Sequence, residues 1–275
     1  MIDLHVHSTK SDGTKTPFEI LQLASDIGLR QLSITDHNTL AGSLEAIKYL
    51  ANFPELNFVM GCELSGFYYN KEVHILGYFD KNNYNSESLR KFIEDTEVSK
   101  EKALREMIKK LNEKGIELSY EEMLKAFPDT VLNRTHIATL LMRHSVVSSV
   151  KEGFDTYIGY GKDCFVEREF KPLKEVIDII HDCNGIAILA HTYLNKPKEA
   201  DTEKYLSGAF SLGLDGAEAI HSNHTKEQAQ SIIQLCKKYN KRITGGSDYH
   251  GDTKPTISLG GANVPDDFIV NYPHL

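Results

Sequence analysis

The chain has 275 residues, 40% of them hydrophobic and 25% charged, with a formal net charge of −8. That is enough apolar material for one large domain, or a domain carrying an insertion, to fold without covalent staples. The acidic balance excludes sequence-independent binding of long nucleic acid through a broad basic surface, which rests on many phosphate contacts, but leaves room for a small anionic substrate where local cations attract it.

In chain order, the opening Met1-Ile2-Asp3-Leu4-His5 has no basic stretch followed by an apolar one, and no later run is long enough for a membrane span, so a cytoplasmic protein is expected. Short β-branched runs at 2–7, 31–35, 57–62, 72–77, 185–190, 215–220 and 241–245 read as strands. Helical periodicity lies between several of them, at 17–27, 43–51, 173–182 and 226–239. Strand-then-helix alternation predicts a largely parallel sheet, and about seven such units favour a barrel of the (β/α)8 kind over an open sheet. Residues 85–162 break the rhythm with successive helical patterns at 94–114, 120–126, 134–144 and 150–160, entered through a polar run at 80–88 and left through Gly159, Gly161 and a strand-like 164–166. The predicted organisation is a barrel from 1–84 and 163–275, with a helical insertion over 85–162. Cysteines 62, 164, 183 and 236 form neither a CxxC pair nor a dense scaffold pattern and are expected as reduced thiols.

His5 and His7 stand at i and i+2, so on a strand they face one side, roughly 6–7 Å apart, close enough to share an ion. Asp248 and His250, in Gly246-Ser247-Asp248-Tyr249-His250, repeat the spacing after the last strand. A pair of surface histidines on an edge strand would explain His5 and His7 alone, and it loses ground because the same design recurs at the other end of the chain. His37 follows the second strand, where Asp36 would orient an imidazole or cap the next helix. Glu63 follows the third strand and suits a bridge between two cations. His74, inside an apolar strand, would by itself read as a hydrogen-bonded core residue; beside the others it reads as a ligand, as does His191 at the end of Gly185-Ile186-Ala187-Ile188-Leu189-Ala190. Asp12, before Gly13, reads as an ordinary turn residue.

Ligand types thus gather at strand ends, where a parallel barrel builds its active site. Five or six imidazoles with three carboxylates exceed the needs of one tetrahedral ion and imply two or three divalent ions, with Mn, Zn or Fe suited to mixed nitrogen and oxygen ligands. His221 and His224 follow a strand; His221 is a candidate substrate contact or proton donor to a leaving group, and solvation explains either equally well. Arg134 opens a helix of the insertion and would clamp phosphate if the insertion covers the barrel mouth, with Lys162 a weaker candidate for the same task. His136, His144, His181 and His274 are assigned no chemistry.

His5-Val6-His7 with Ser11-Asp12-Gly13, Ile34-Thr35-Asp36-His37-Asn38-Thr39, Gly61-Cys62-Glu63-Leu64-Ser65, Val73-His74-Ile75-Leu76-Gly77-Tyr78, Leu189-Ala190-His191 and Gly246-Ser247-Asp248-Tyr249-His250-Gly251 resemble the motifs of the PHP (polymerase and histidinol phosphatase) family along nearly the whole chain. Asn133-Arg134-Thr135-His136-Ile137-Ala138 and the stretch 149–162 are similar to the insertion of the branch containing nucleoside 3′,5′-bisphosphate phosphatases and 5′-to-3′ exonucleases acting on short RNA. The resemblance implies a distorted (β/α)7 TIM-like barrel with up to three metals: His5, His7, Glu63 and Asp248 on one, Glu63, His74 and His191 on a second, Asp12, His37 and His250 on a third. Only this resemblance lifts Asp12 out of its turn reading, and it also implies phosphate contacts from Arg134 and His221. Thr192 stands where the family commonly has Pro, and Asn38 where Asp is frequent; neither is a ligand position. The function so implied is hydrolysis of a phosphate monoester on a nucleotide or short RNA by a metal-activated water. The rivals are a histidinol-phosphate phosphatase, a non-catalytic metal-binding module, and C–N bond hydrolysis, for whose usual carboxylated lysine no counterpart stands out.

Overall fold

A computed structural model of the chain describes residues 1–268, so His274 lies outside the described residues. The chain divides into two compact units, one formed by Met1–Phe92 and the chain from Phe170 onward, the other by Ile93–Glu169.

The first unit is a single seven-stranded sheet in sequence order: β1 (Ile2–Val6), β2 (Gln31–Ile34), β3 (Asn57–Tyr68), β4 (Lys71–Phe79), β5 (Ile186–Leu189), β6 (Gly216–His221) and β7 (Arg242–Gly246). Helices α1 (Pro17–Asp26) and α2 (Ala41–Ile47) follow the first two strands. The first of them starts where its sequence dictates. Thr16 and Glu19 form a reciprocal capping box, and Pro17 occupies the first helical position, where its missing N–H goes unnoticed. Its Ile20, Leu21 and Ala24 then bury against Leu32, Ile34 and Phe58.

Six of the seven strands run parallel to one another, and β4 is the exception. It is antiparallel to both neighbours, paired with β3 from Met60↔Phe79 to Tyr68↔Lys71 and with β5 from Ile75↔Leu189 to Tyr78↔Ile186. The expectation of helices between strands fails here because the chain reverses in two residues. Tyr69 and Asn70 both have positive φ, at 51° and 56°, the tight hairpin turn whose twist matches that of paired strands. The sheet nearly closes on itself: the His7 N–H donates to the Tyr249 carbonyl at 2.9 Å and the Asp248 N–H to the His5 carbonyl at 2.8 Å. Gly246 permits this approach, since a Cβ there would lie 2.4 Å from the His5 Cβ. The barrel interior is packed by Ile2, Leu4, Val59, Leu76, Tyr78, Ile188 and Ala190. The architecture is a distorted TIM-like barrel with a helical insertion.

Beyond the hairpin, α3 (Glu87–Glu113) carries the chain out of the first unit, and α4 (Tyr120–Ala126), α5 (Arg134–Arg143) and α6 (Val150–Gly153) build the second, with a π-helical turn over Phe154–Ile158. Their core is apolar: Leu104, Met107, Leu111, Met123, Ile137, Leu141 and Ile158. Residues 164–166, strand-like in sequence, are not a strand; Cys164 is buried in this core with Phe165 and Val166 packed on it. The units therefore divide later than the composition change at 85 and 162. After α7 (Leu173–His181) come α8 (Thr192–Asn195) and α9 (Thr202–Ser211), both absent from the sequence reading, and α10 (Lys226–Lys238). The four cysteines are buried free thiols. Among the described residues no helix is long and apolar enough to cross a membrane.

Candidate metal centre

His5 and His7, two apart on β1 and beyond a register shift that follows Asp3, share one face and are fully buried. Glu63, 1% exposed, stands at the centre of what they face. One of its oxygens, Oε1, lies 3.0 Å from His74 Nδ1 and 2.9 Å from His191 Nε2. The other, Oε2, lies 3.0 Å from His37 Nδ1, 3.3 Å from His7 Nε2 and 3.5 Å from His5 Nε2. Asp248 Oδ1 is 3.4 Å from His7 Nε2 and 3.3 Å from His250 Nδ1, and Asp12 Oδ1 is 3.3 Å from His250 Nε2. All nine residues singled out as ligands thus converge at one end of the barrel. Donor atoms lie within 4.8 Å of one another in the groups His7, Asp12, His37, His250; His5, His7, Asp248; His5, Glu63, His191; and His37, Glu63, His74. Relative to the implied partition, His7 also joins Asp12's group, and His37 reaches Glu63.

Burial alone would raise a carboxyl's pKa, yet the imidazoles of His74, His37 and His5 hold Glu63 well below the usual carboxylate range. Burial depresses His7, and the neighbouring His250 and His37 push it the same way. His37 falls to about 4, chiefly through burial, against the pull of Glu63 and Asp12. His74 goes the other way, to about 10, because Glu63 outweighs its burial. Despite the short distances, His5 Nε2, His7 Nε2, His74 Nδ1 and Glu63 Oε2 are buried without a hydrogen-bond partner among the described residues, while His191 Nε2 is hydrogen-bonded to Glu63 Oε1. Unpaired buried lone pairs aimed at common points are costly unless something shares them, and a divalent cation fits that donor set.

Two buried aspartates hold the loops that carry ligands. Asp36 accepts from the Ser8 N–H at 2.8 Å, the Ser8 hydroxyl at 2.6 Å and the Ser11 hydroxyl at 2.6 Å, fixing the loop that presents Asp12. It neither caps α2, whose N-cap is Leu40, nor contacts an imidazole directly, so both expected roles are replaced by this one. Burial lifts its pKa to about 6. Asp3 does the same at the other end, accepting from the Ser247 N–H and hydroxyl and the Gly260 N–H, beside Asp248.

His221 is buried with Nε2 3.6 Å from Asp248 Oδ2, while its Nδ1 accepts the Asn223 N–H at 3.1 Å. His224 is occupied structurally: its Nδ1 meets the Ala219 carbonyl at 2.9 Å and its Nε2 accepts the Tyr193 N–H at 3.3 Å. In the second unit, Arg134 has its guanidinium over the rings of Phe154 and Phe165, and Lys162 is exposed. His136 closes the cap of α5 by accepting the Asn133 N–H. The sequence reading missed Glu218 and Lys254. Glu218 is fully buried on β6, and Lys254 Nζ lies 2.6 Å from Asp248 Oδ2. An acid amid the apolar Gly216-Ala217-Glu218-Ala219-Ile220 was a signal; its spacing of three from His221 hid it, because strict alternation would place the two on opposite faces. A register shift between Glu218 and Ile220 brings them to the same side.

The PHP domain matches residues 3–243 of the chain. The chain belongs to the PHP family and is an enzyme of its metal-dependent phosphoesterase class. It is 32% identical over 249 residues to a 5′-3′ exoribonuclease of Haemophilus influenzae, covering 90% of this chain and 89% of that one. It is 25% identical over 251 residues to a 3′,5′-nucleoside bisphosphate phosphatase of Chromobacterium violaceum, covering 90% and 87%. Among solved structures, a Bifidobacterium adolescentis protein classed as a metal-dependent phosphoesterase superposes with a TM-score of 0.88 at 25% identity, covering 97% of this chain and 93% of that one.

Proposed function

We propose that this protein hydrolyses phosphate monoesters of nucleotides, such as nucleoside 3′,5′-bisphosphates, or of short oligonucleotides, with two or three divalent ions (Mn, Zn or Fe). The observation that carries the reading is the convergence of five histidines on the two oxygens of one buried carboxylate, Glu63, with the facing nitrogens of His5, His7 and His74 unpaired. His7, Asp12, His37 and His250 would hold one ion, His5, His7 and Asp248 another, and Glu63 with His74 and His191 a third. Such ions, when bound, lower the pKa of water toward neutrality and offset charge on phosphoryl oxygens. His221 supplies the proton. Because its Nδ1 accepts a backbone N–H, the neutral ring carries its hydrogen on Nε2, the atom facing Asp248 and the centre, from which it can pass to the leaving oxygen. The family resemblance implies phosphate contacts from Arg134 and His221, and Lys162 is a weaker candidate for the same task.

The test is product formation, read as free phosphate, opened ring or released mononucleotide, by Mn-reconstituted enzyme from adenosine 3′,5′-bisphosphate, AMP, histidinol phosphate, a cyclic ribose phosphate and a short 5′-phosphorylated RNA. The bisphosphate or the RNA is expected to lead by at least about tenfold in kcat/KM, the worth of one good transition-state contact. A lead for histidinol phosphate or the cyclic ester would discard the nucleotide reading and keep the metal centre. No product from any of them overturns the reading.

A further inference from the structure

We infer that Glu218 is a positioning residue that sets two metal-facing histidines at once: it fixes which nitrogen of His5 is offered to an ion, and it pins the backbone at His191. The inference rests on the metal reading of the site given above.

The His5 ring has its Nδ1 3.1 and 3.2 Å from the two Glu218 oxygens. Both Glu218 oxygens face that one ring nitrogen and one of them also takes a backbone N–H, the geometry of a carboxylate, which only accepts. The hydrogen of His5 is therefore on Nδ1, and the lone pair is left on Nε2, the atom 3.5 Å from Glu63 and 3.7 Å from Asp248. The same carboxylate accepts the His191 N–H at 2.6 Å. His191 has φ +25° and ψ 58°, a conformation that L residues with a Cβ rarely adopt, and it turns the chain directly after β5. A strained backbone persists where its surroundings over-determine it, and this hydrogen bond is the restraint on its amide. One buried side chain on β6 thus sets a ring from β1 and a backbone from β5, through the register shift that turns Glu218 inward. Carboxylates behind metal-bound histidines commonly fix tautomer and ring orientation in this way.

Glu218→Gln is nearly isosteric but has one acceptor for two donors. Its oxygen goes to the His191 N–H, and its amide N–H faces His5 Nδ1, forcing the hydrogen of His5 onto Nε2. Ions retained per chain after dialysis against graded Zn, together with the visible spectrum of the Co-loaded protein, read this independently of turnover. The expected result is a loss of about 10–100-fold in affinity for one ion, with a changed Co spectrum and an unchanged far-UV circular dichroism spectrum. In a His5→Ala background the same substitution should cause no further loss at the ion shared with His7 and Asp248. Should Glu218→Gln not fold, Glu218→Asp, which keeps the charge and withdraws it by one methylene, carries the same expectation. Wild-type affinity and spectrum in the variant, or a full additional loss in the His5→Ala background, overturns the inference. If the wild-type protein itself retains no ion, the metal reading fails instead.

Discussion

The two units of this chain bury opposite materials. The helical unit closes over leucine, isoleucine and methionine, and its one buried histidine, His136, is used up in capping a helix. At the end of its barrel, the other unit buries His5, His7, Asp12, Glu63, His191, Glu218, Asp248 and His250 together, several with unpaired atoms. Burying apolar area stabilises a fold, whereas burying ionisable groups opposes folding unless they are matched. The contrast shows where the molecule gives up intrinsic stability in exchange for chemistry. It also predicts that damage in the two places will be felt in different measurements.

The largest effect should follow Glu63→Ala. Turnover should fall by at least about 10³-fold, the scale of losing several kcal/mol of transition-state charge stabilisation, while far-UV circular dichroism reports an intact fold. Near-wild-type rates in that variant, measured on metal-depleted and reloaded protein, would remove the site from its assigned place. Leu141→Ala inverts the pattern. Leu141 is fully buried in the helical core, so its truncation should cost about 2–5 kcal/mol in urea unfolding and leave the number of Zn ions retained unchanged. A loss of ions in this variant would show that the contrast between the units is too sharply drawn. Smallest of all, Thr16→Ala removes the cap of α1 and should cost about 1 kcal/mol with turnover unaltered. The Glu19 half of that box is acid-sensitive. Hydrogen bonds from the Thr16 N–H and then its hydroxyl hold the carboxyl below its ordinary value of 4.5, so its contribution is present above that pH and fades as pH falls through the lowered value. The gap between the wild type and Thr16→Ala should therefore narrow in acid by the share of the bond from the Thr16 hydroxyl to Glu19, while the loss of that hydroxyl as acceptor of the Glu19 N–H persists at every pH.

Much of the site was legible because its residues obey strand arithmetic. The pairs at 5 and 7 and at 248 and 250 share a face by spacing alone, and histidine within otherwise apolar runs marks 74 and 191. What escaped depended on departures from that arithmetic. The antiparallel course of β4 arises from a two-residue reversal at Tyr69 and Asn70, and tyrosine is not a residue that signals positive φ. Glu218 faces inward only through a register shift, which no local pattern announces. Asp36 looked like a helix cap, yet its partners Ser8 and Ser11 are 28 and 25 residues away in the chain. The return from the insertion was placed too early because Cys164-Phe165-Val166 is β-like in composition, while the helical core claims those side chains.

The near-closure of the barrel has a consequence for how the protein comes to exist. Asp3 holds Ser247, beside Asp248, across 244 residues of chain, and the backbone bond from the Asp248 N–H to the His5 carbonyl joins chain ends almost as far apart. During synthesis from the N-terminus, His5 and His7 are available early, but their carboxylate partner at the far side has not yet been made. A nascent chain is thus a poor trap for stray cations, and loading waits on the slowest, most distant pairing in the fold.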